Sequence, residues 1–201
     1  MKLKFIEIGT AGVNSLAESA GNSDRGICIE PLKYYFDLIP SKPLIKKYNC
    51  AISLTEKEGV NKVYYVPEQI IKEKKFPKSL RTCFSLGDYH YQHTMMGIKD
   101  LVEIDFVAEV PLSKICEMNN VIEIDYLKIN VENACEILDS FFPFLAEKRK
   151  RGELPKKIEF NANELTSEEE IGTTISQYVN KFMYSVQRNK QNIILTLRSD
   201  I

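Results

Sequence analysis

The residues best suited to chemistry lie near the N-terminus, where an apolar run ends in a glycine turn. Leu3 to Ile8 leads into Gly9-Thr10-Ala11-Gly12, and a second apolar run ends in Glu30 about twenty residues further on. In a nucleoside-binding site, such a turn brings the backbone close to the ligand, and the later acid accepts hydrogen bonds from both ribose hydroxyls. A strand-end turn and a surface carboxylate are the alternative interpretation.

An acid stands immediately before this turn and narrows the choice of cofactor. A dinucleotide requires a G-x-G-x-x-G turn whose helix N-terminal amides hold a pyrophosphate, whereas Glu7 precedes Gly9 here. A carboxylate at that place repels phosphate and suits an ammonium group. S-adenosylmethionine has no phosphate and carries an α-amino group and a sulfonium, so Glu7 and Glu30 together favour it.

Apolar runs alternate with helical patterns along the chain, which predicts βαβ units and a mostly parallel sheet with helices on both faces. The predicted strands are Leu3–Ile8, Ile27–Glu30, Tyr48–Leu54, Val60–Val66, Val102–Val110, Ile124–Val131 and Lys157–Ala162, with a closing hairpin of Tyr184–Gln187 and Ile193–Leu197. The predicted helices are Val13–Ala20, Leu32–Leu38, Leu112–Met118, Ala134–Lys148 and Glu168–Met183. Between Glu68 and Met96 no periodicity is evident, which predicts an irregular region of functional importance.

Composition excludes several classes of partner. The 201 residues carry 27 Lys and Arg against 28 Asp and Glu, a balance that argues against nucleic acid. No apolar run approaches the ~18 residues that cross a bilayer, and no secretory leader is evident, so we expect a cytoplasmic protein without a membrane partner. The five cysteines lack metal-ligand spacing and predict reduced buried thiols.

Several blocks resemble the FkbM-like S-adenosylmethionine-dependent methyltransferases in order and spacing, over nearly the whole chain. They are Phe5-Ile6-Glu7-Ile8-Gly9-Thr10, Gly26-Ile27-Cys28-Ile29-Glu30-Pro31-Leu32, Asn49-Cys50-Ala51-Ile52-Ser53, Ile124-Asp125-Tyr126-Leu127-Lys128-Ile129-Asn130-Val131-Glu132 and Lys157-Ile158-Glu159-Phe160-Asn161-Ala162-Asn163-Glu164-Leu165. The Glu-Pro pair and the Leu-Lys-Ile-x-Val-Glu block are the most specific of these.

The resemblance implies a Rossmann-like class I methyltransferase fold, with a seven-stranded sheet whose last strand is antiparallel, and O-methylation of a sugar hydroxyl. It also implies roles for residues of the cofactor site. The methionine end would be held by Glu7, Gly9 and Thr10, the ribose by Glu30, and the adenine by Pro31, Leu32, Ala51 and Ile52, with Asn130 facing both the sulfonium and the acceptor. These positions all fall at the carboxyl ends of predicted strands.

The chain departs from the family where acids are usual. The family commonly has Asp and Gly in the fourth-strand motif and an acid near the end of the fifth strand, where this chain has Asn130, Asn133 and Asn161. Hard cations prefer carboxylate oxygens, so no metal ligands are assigned and a divalent ion is doubtful. Glu132 is the one acid of the motif that remains.

With fewer acids available, His90 and His93 become the leading candidates for the base that removes the hydroxyl proton, since histidine titrates near neutral pH. A hydrogen-bonded loop histidine is the alternative for either. Ser85, Tyr89, Tyr91 and Asn161 are the expected acceptor contacts, and the aromatic rings would stack on a sugar or pin the loop to the sheet.

These observations predict a single methyltransferase domain over residues 1–201, with an origin in a longer multidomain chain left open. We expect S-adenosylmethionine as cofactor, S-adenosylhomocysteine as product, and a carbohydrate acceptor in a glycan or glycoconjugate. Covalently linked neighbouring domains that make the acceptor are a further expectation. The rival interpretation is a degenerate module that keeps the fold and has lost catalysis, while methylation of RNA or protein is disfavoured by the absence of a basic surface.

Overall fold

A computed structural model of the chain describes residues 1–11, 15–77, 80–81, 85–88, 90–148, 150, 153–161, 166–189 and 191–198. The strands within these residues are β1 (Lys2–Ile8), β2 (Gly26–Ile29), β3 (Ile45–Tyr48), β4 (Ala51–Ile52), β5 (Gly59–Tyr65), β6 (Ser85–Leu86), β7 (Glu103–Val110), β8 (Glu123–Ile129), β9 (Lys157–Asn161), β10 (Tyr184–Asn189) and β11 (Asn192–Leu197). The helices are α1 (Leu16–Ser19), α2 (Lys33–Leu38), α3 (Glu68–Glu73), α4 (Tyr91–Met95), α5 (Leu112–Met118), α6 (Ala134–Lys148) and α7 (Glu168–Phe182).

The larger of two sheets has seven strands in the order β10-β11-β9-β8-β1-β2-β3. Neighbours from β9 through β3 are parallel, whereas β11 runs antiparallel to both β9 and β10. The prediction of a mixed α/β fold with a mostly parallel seven-stranded sheet and an antiparallel terminal hairpin is therefore confirmed. The order also brings the ends of β1, β2 and β8 together, although these strands are far apart in the sequence.

Both faces of the sheet's central strands are covered, as apolar parallel strands require. On one face, Ile6 aligns with Ile27 and Leu127, and these residues join the core formed with α5, α6 and α7. On the other face, Phe5 and Cys28 pack with residues of α1 and α2. The predicted placement of helices on both faces is thus observed.

The predicted single strand Tyr48–Leu54 is wrong, because the chain changes sheets in the middle of it. β3 ends at Tyr48 in the large sheet, and β4 begins at Ala51 in a second sheet of order β4-β7-β5-β6. Between them, the Asn49 side-chain amide donates to the carbonyl oxygens of Glu30 and Pro31, both at 2.9 Å. This long-range contact turns the chain away from β3, and the apolar pattern of the sequence contains no sign of it.

The region from Glu68 to Met96, predicted to be irregular, contains short regular elements. α3, β6 and α4 are six, two and five residues long, which is too short for periodicity to show in the sequence. The start of α4 is fixed by the His90 ring, whose Nδ1 accepts the backbone N–H of Gln92. No helix within the described residues is long and apolar enough to cross a membrane.

Candidate functional site

A cavity of about 390 Å³ lies at the carboxyl ends of the central strands of the large sheet. Its floor is formed by Ile8 at the end of β1, Ile29 and Pro31 at the end of β2, and the segment 130–133 that follows β8. Parallel sheets bind their ligands at this edge, and the volume falls in the range of small-molecule sites, about 300–1,000 Å³. The fold thus places a ligand-sized cavity where the sequence predicts one.

The second sheet and two helix starts form the walls of this cavity. From the second sheet and the segments beside β4 come Cys50, Ala51, Ile52, Leu54, Asn61, Ser85, Leu86 and Glu109. From the first turn of α6 come Glu136 and Ile137, and from the start of α7 come Thr166 and Glu170. Burial raises the pKa of the Cys50 thiol to about 11, so this sulfur is protonated at neutral pH and is a poor nucleophile.

Part of the predicted site lines the cavity, and part supports it from behind. The lining residues among those predicted are Pro31, Ala51, Ile52, Ser85, Asn130 and Glu132. Leu32 is buried next to Ala51 in the core of the second sheet. Tyr89 lies outside the described residues. The remaining predicted residues are buried or lie at the rim, in the contacts described below.

The Glu30 carboxylate, predicted to bind ribose, is fully buried and bonded to its own chain. One oxygen, Oε2, accepts the backbone N–H groups of Thr10 and Ala11 and the Thr10 hydroxyl at 2.9–3.0 Å, and Oε1 accepts the Leu32 N–H at 3.0 Å. Burial raises the pKa of the Glu30 carboxyl above its usual value, while these hydrogen bonds act to lower it. In this conformation Glu30 fixes the turn after β1.

Gly9 allows this turn to pass close to the end of β8. Its φ is +77°, and a Cβ placed there would lie 2.6 Å from both the carbonyl oxygen of Asn130 and Cγ1 of Val131. Since ordinary contacts of a Cβ are longer than 3.4 Å, only glycine fits. Gly9 and Thr10 therefore shape the floor of the site through the backbone.

Glu7, which the sequence predicts to bind the ammonium group of the cofactor, is instead paired with the ammonium group of Lys128. Lys128 Nζ donates to Glu7 Oε1 at 2.9 Å, and the Ser15 hydroxyl and the Leu16 N–H donate to Oε2 at 2.7 and 2.8 Å. Glu7 is fully buried. It therefore joins β1 to β8 and holds the start of α1, and it does not line the cavity.

Two amides face each other at the ends of β8 and β9. The Asn161 side-chain N–H donates to Asn130 Oδ1 at 2.9 Å, and Asn130 lines the cavity while Asn161 is exposed at its rim. Two carboxylates at this distance would repel each other, whereas two amides satisfy each other. The substitutions noted in the sequence are thus mutually compatible.

The His90 ring connects the irregular region to the segment after β8. His90 Nε2 lies 2.6 Å from Glu132 Oε1, while Nδ1 accepts the Gln92 backbone N–H at 3.1 Å. Because Nδ1 accepts a hydrogen bond, the ring proton of the neutral form is on Nε2 and points at Glu132. Both nitrogens are engaged, an arrangement that suits a residue positioning Glu132 better than a base.

Two further predicted residues, the acceptor contact Tyr91 and the candidate base His93, pack around His90. The Tyr91 ring stacks on it with centroids 5.0 Å apart, and the His93 ring lies at 5.5 Å and is fully buried. Neither Tyr91 nor His93 lines the cavity, and no aromatic ring is among the described residues that do. The rings of His90, Tyr91 and His93 pack together and hold α4 in position.

Sequence reasoning missed the acids of the cavity walls. Glu109, Glu136 and Glu170 line the cavity with Glu132, and its described lining contains no Lys, Arg or His. Only Glu170 had a recognisable local signal, a capping box in which Ser167 and Glu170 bond to each other's backbone N–H at the start of α7. The cavity is therefore acidic in a chain whose net charge is only −1.

Within the described part of the chain, no group of three or more His, Cys, Asp or Glu side chains is arranged to hold a metal ion. Cys28, Cys50, Cys116 and Cys135 are buried and not in disulfides, as predicted, whereas Cys83 lies outside the described residues.

Comparison with known proteins adds a distant structural likeness. No protein-family model matches the chain, and no curated protein matches it. The apo structure of CalS11, a TDP-rhamnose 3'-O-methyltransferase of calicheamicin biosynthesis, matches 97% of this chain and 70% of its own, with a TM-score of 0.34 and 10% sequence identity. At this level of similarity, the function has to be inferred from the chemistry of the cavity.

Proposed function

We propose that this protein is an S-adenosylmethionine-dependent O-methyltransferase that acts on a sugar hydroxyl of a glycan or glycoconjugate. The main support is the cavity at the carboxyl ends of β1, β2 and β8, which combines apolar surface with four carboxylates and has no Lys, Arg or His in its described lining. A nucleoside cofactor with a positively charged end matches both properties, whereas a phosphate-bearing cofactor would be repelled.

The two parts of the cofactor would occupy different walls. The adenine would lie against the apolar surface of Pro31, Ala51 and Ile52, and the charged end would lie towards Glu132 beside Asn130. Glu30 would act by holding the turn after β1 through its bonds to Thr10 and Ala11. The mostly parallel seven-stranded sheet with an antiparallel last strand supports the proposal, because it is the sheet that the family resemblance implies.

When bound, S-adenosylmethionine would supply a methyl group to the acceptor oxygen, with the electron pair of the broken carbon–sulfur bond remaining on its sulfur. Glu132, which lines the cavity, would take the hydroxyl proton. His90 would orient Glu132 through the 2.6 Å contact from Nε2. Ile8, Ile29 and Val131 add apolar surface to the cavity floor.

Calorimetry with S-adenosylmethionine, S-adenosylhomocysteine and ATP tests this proposal directly. Both sulfur nucleosides should bind, and ATP should bind at least about tenfold more weakly because its phosphates meet the acidic wall. Ile52→Glu should abolish binding by placing a charge on the adenine surface, whereas Val60→Glu, on an exposed position of the second sheet, should not. Tighter binding of ATP, or no binding of either sulfur nucleoside, would contradict the proposal.

The second candidate is a module that binds ligands without catalysis. The observation in its favour is that Glu7 and Glu30 are both fully buried in bonds to their own chain. Such a protein would bind S-adenosylhomocysteine and transfer no methyl group to any acceptor. Mass spectrometry of a glycan library incubated with the protein and S-adenosylmethionine separates the two candidates, because a gain of one methyl group demonstrates catalysis.

A further inference from the structure

The face of the large sheet opposite α6 and α7 is open over β9 and β11. The residues of these two strands that join the core with α6 and α7 are buried, namely Ile158, Phe160, Ile193 and Leu195. The alternate residues point to the opposite face and are half-buried or exposed, namely Lys157, Glu159, Asn161, Asn192, Ile194 and Thr196. Among the described residues, none of β9, β10 or β11 joins the core that α1 and α2 form on that face. The sheet therefore has an open, largely polar surface beside the cavity.

The charged groups of this open surface are paired with one another. Lys157 Nζ lies 2.7 Å from Glu159 Oε2, which also accepts the Tyr126 hydroxyl at 2.8 Å. On the neighbouring strand β8, Lys128 Nζ donates to Glu7 at 2.9 Å. Because the surface balances its own charges, it suits an uncharged partner better than a polyanion or a polycation.

A row of asparagines crosses the open surface where β8 and β9 end and β11 begins. Asn130 and Asn161 follow the aligned residues Ile129 and Phe160, and Asn161 aligns in turn with Asn192. Neighbouring strands are about 4.8 Å apart, so the row from the first to the third asparagine spans about 10 Å. Since Asn130 lines the cavity, the asparagine row begins in the cavity and leads out of it.

The amides of the asparagine row have hydrogen-bonding capacity that the described part of the chain does not use. The bond from Asn161 Nδ2 to Asn130 Oδ1 fixes the orientation of both amides. It leaves Asn130 Nδ2 as a donor and Asn161 Oδ1 as an acceptor, neither of which has a partner among the described residues. Asn192 Oδ1 is enclosed and accepts no hydrogen bond from them either, which is costly for a polar atom. Donors and acceptors side by side match hydroxyl groups, since each hydroxyl both donates and accepts.

We propose that the asparagine row binds an oligosaccharide acceptor, with the sugar to be methylated beside Asn130 in the cavity and the next sugar at Asn161 and Asn192. This inference rests on the proposed function and specifies its substrate as a glycan of two or more sugars. The row is longer than one sugar ring is wide, so a monosaccharide would leave most of it empty. A turn of the Asn192 amide about its Cβ–Cγ bond would bring its oxygen to a hydroxyl of the second sugar.

An array of mono- to tetrasaccharides, probed in the presence of saturating S-adenosylhomocysteine, tests the requirement for length. The glycans that bind should contain at least two sugars. In calorimetry, the glycan that binds best should bind at least about tenfold more tightly than its own terminal monosaccharide, because the shorter ligand lacks one or two hydrogen bonds. Monosaccharides that bind as tightly as longer glycans, or an array on which no glycan binds, would overturn the proposal.

Substitutions in the asparagine row test its position. Asn161→Ala and Asn192→Ala should each weaken binding of the best glycan about five- to tenfold. Thr196→Ala is the matched control, because Thr196 is exposed on the same strand and face as Asn192 but about 13 Å along the strand. If Asn192→Ala fails to fold, Asn192→Val, whose side chain suits a strand, takes its place. An equal loss in the Thr196→Ala control would show that the glycan binds elsewhere on the surface, and it would overturn the row.

Two further measurements separate this inference from the proposed function and from a different occupant. A protein that binds S-adenosylhomocysteine and no oligosaccharide would leave the methyltransferase proposal intact and contradict the row. Oligosaccharide binding that depends on Asn192, in a protein that does not bind S-adenosylhomocysteine, would support the row and contradict the methyltransferase. A dimer in sedimentation experiments that Asn192→Ala dissociates would assign the open surface to a second copy of the chain and overturn the glycan site.

Discussion

His90 Nε2 lies 2.6 Å from Glu132 Oε1, and the opposite nitrogen of the same ring accepts the backbone N–H that starts α4. The contact joins the segment after β8 to a helix more than 30 residues earlier in the sequence. It also assigns different tasks to the two residues, because the imidazole directs a proton at the carboxylate and Glu132 lines the cavity.

This relationship predicts the tautomer of His90. Nitrogen-15 NMR of the His90 ring in its neutral form should show the proton on Nε2 and an unprotonated, hydrogen-bonded Nδ1. Glu132→Gln should retain this tautomer, because the glutamine side-chain oxygen can still accept a hydrogen bond from Nε2. Replacing Gln92 with a small residue should also retain it, because the backbone N–H at position 92 still donates to Nδ1. A proton on Nδ1 would contradict the arrangement.

The division of tasks predicts unequal effects on turnover once an acceptor is identified. Glu132→Gln should lower kcat by about 100-fold or more, the usual contribution of a general base. His90→Gln should lower it by a smaller factor and change the pH profile of kcat, since it alters the surroundings of Glu132. A larger loss of kcat in His90→Gln than in Glu132→Gln would indicate that His90, and not Glu132, is the base.

Glu30→Gln should destabilise the protein although it preserves the size of the side chain. The Glu30 carboxylate accepts four hydrogen bonds from described residues, and both of its oxygens are acceptors, so the new NH₂ group must face a donor in either orientation. One unsatisfied buried group costs about 1–3 kcal/mol of unfolding free energy, measurable by urea denaturation. Glu58→Gln, at an exposed position, is the control and should change little.

Gly9→Ala should be more destabilising than Gly97→Ala. Both glycines have positive φ, +77° and +65°, so both substitutions incur the same kind of backbone penalty, about 1–2 kcal/mol. Only the Cβ at position 9 would also collide with Asn130 and Val131, since nothing lies within 4 Å of the Cβ position at Gly97. Equal losses of unfolding free energy would indicate that the turn and the end of β8 separate easily.

Ser167→Ala should destabilise α7 by about 1 kcal/mol, the usual value of an N-cap. The loss should be larger at pH 7 than at pH 3. The folded pKa of Glu170 is lowered by its bonds to Ser167, so this contribution is present above the unfolded pKa, about 4.3, and disappears as the pH falls through the folded value. Ser176→Ala on the same helix is the control, because its hydroxyl donates to the Gly172 carbonyl within the helix and does not cap the helix start.

Much of the fold could be predicted because local patterns of apolar and polar residues specify it. The apolar runs of β1, β2, β8 and β9 are long enough to be recognised, and the terminal hairpin follows from two apolar runs separated by polar residues. β4, β6 and α4 could not be predicted in this way. They are two to five residues long, and their positions depend on contacts such as those of Asn49 with Glu30 and Pro31.

The sequence by itself determined where the site lies, because residues that follow apolar parallel strands must meet at one edge of the sheet. It could not determine which acids face the ligand. Glu7 and Glu30 point away from the cavity, because Glu7 is bonded to Lys128, 121 residues away in the sequence, and Glu30 to the turn after β1. Glu109, Glu136 and Glu170 reach the cavity walls because the tertiary structure brings β7, α6 and α7 to them. A carboxylate takes the donors that the tertiary structure brings within reach, and only that structure decided which acids remained for a ligand.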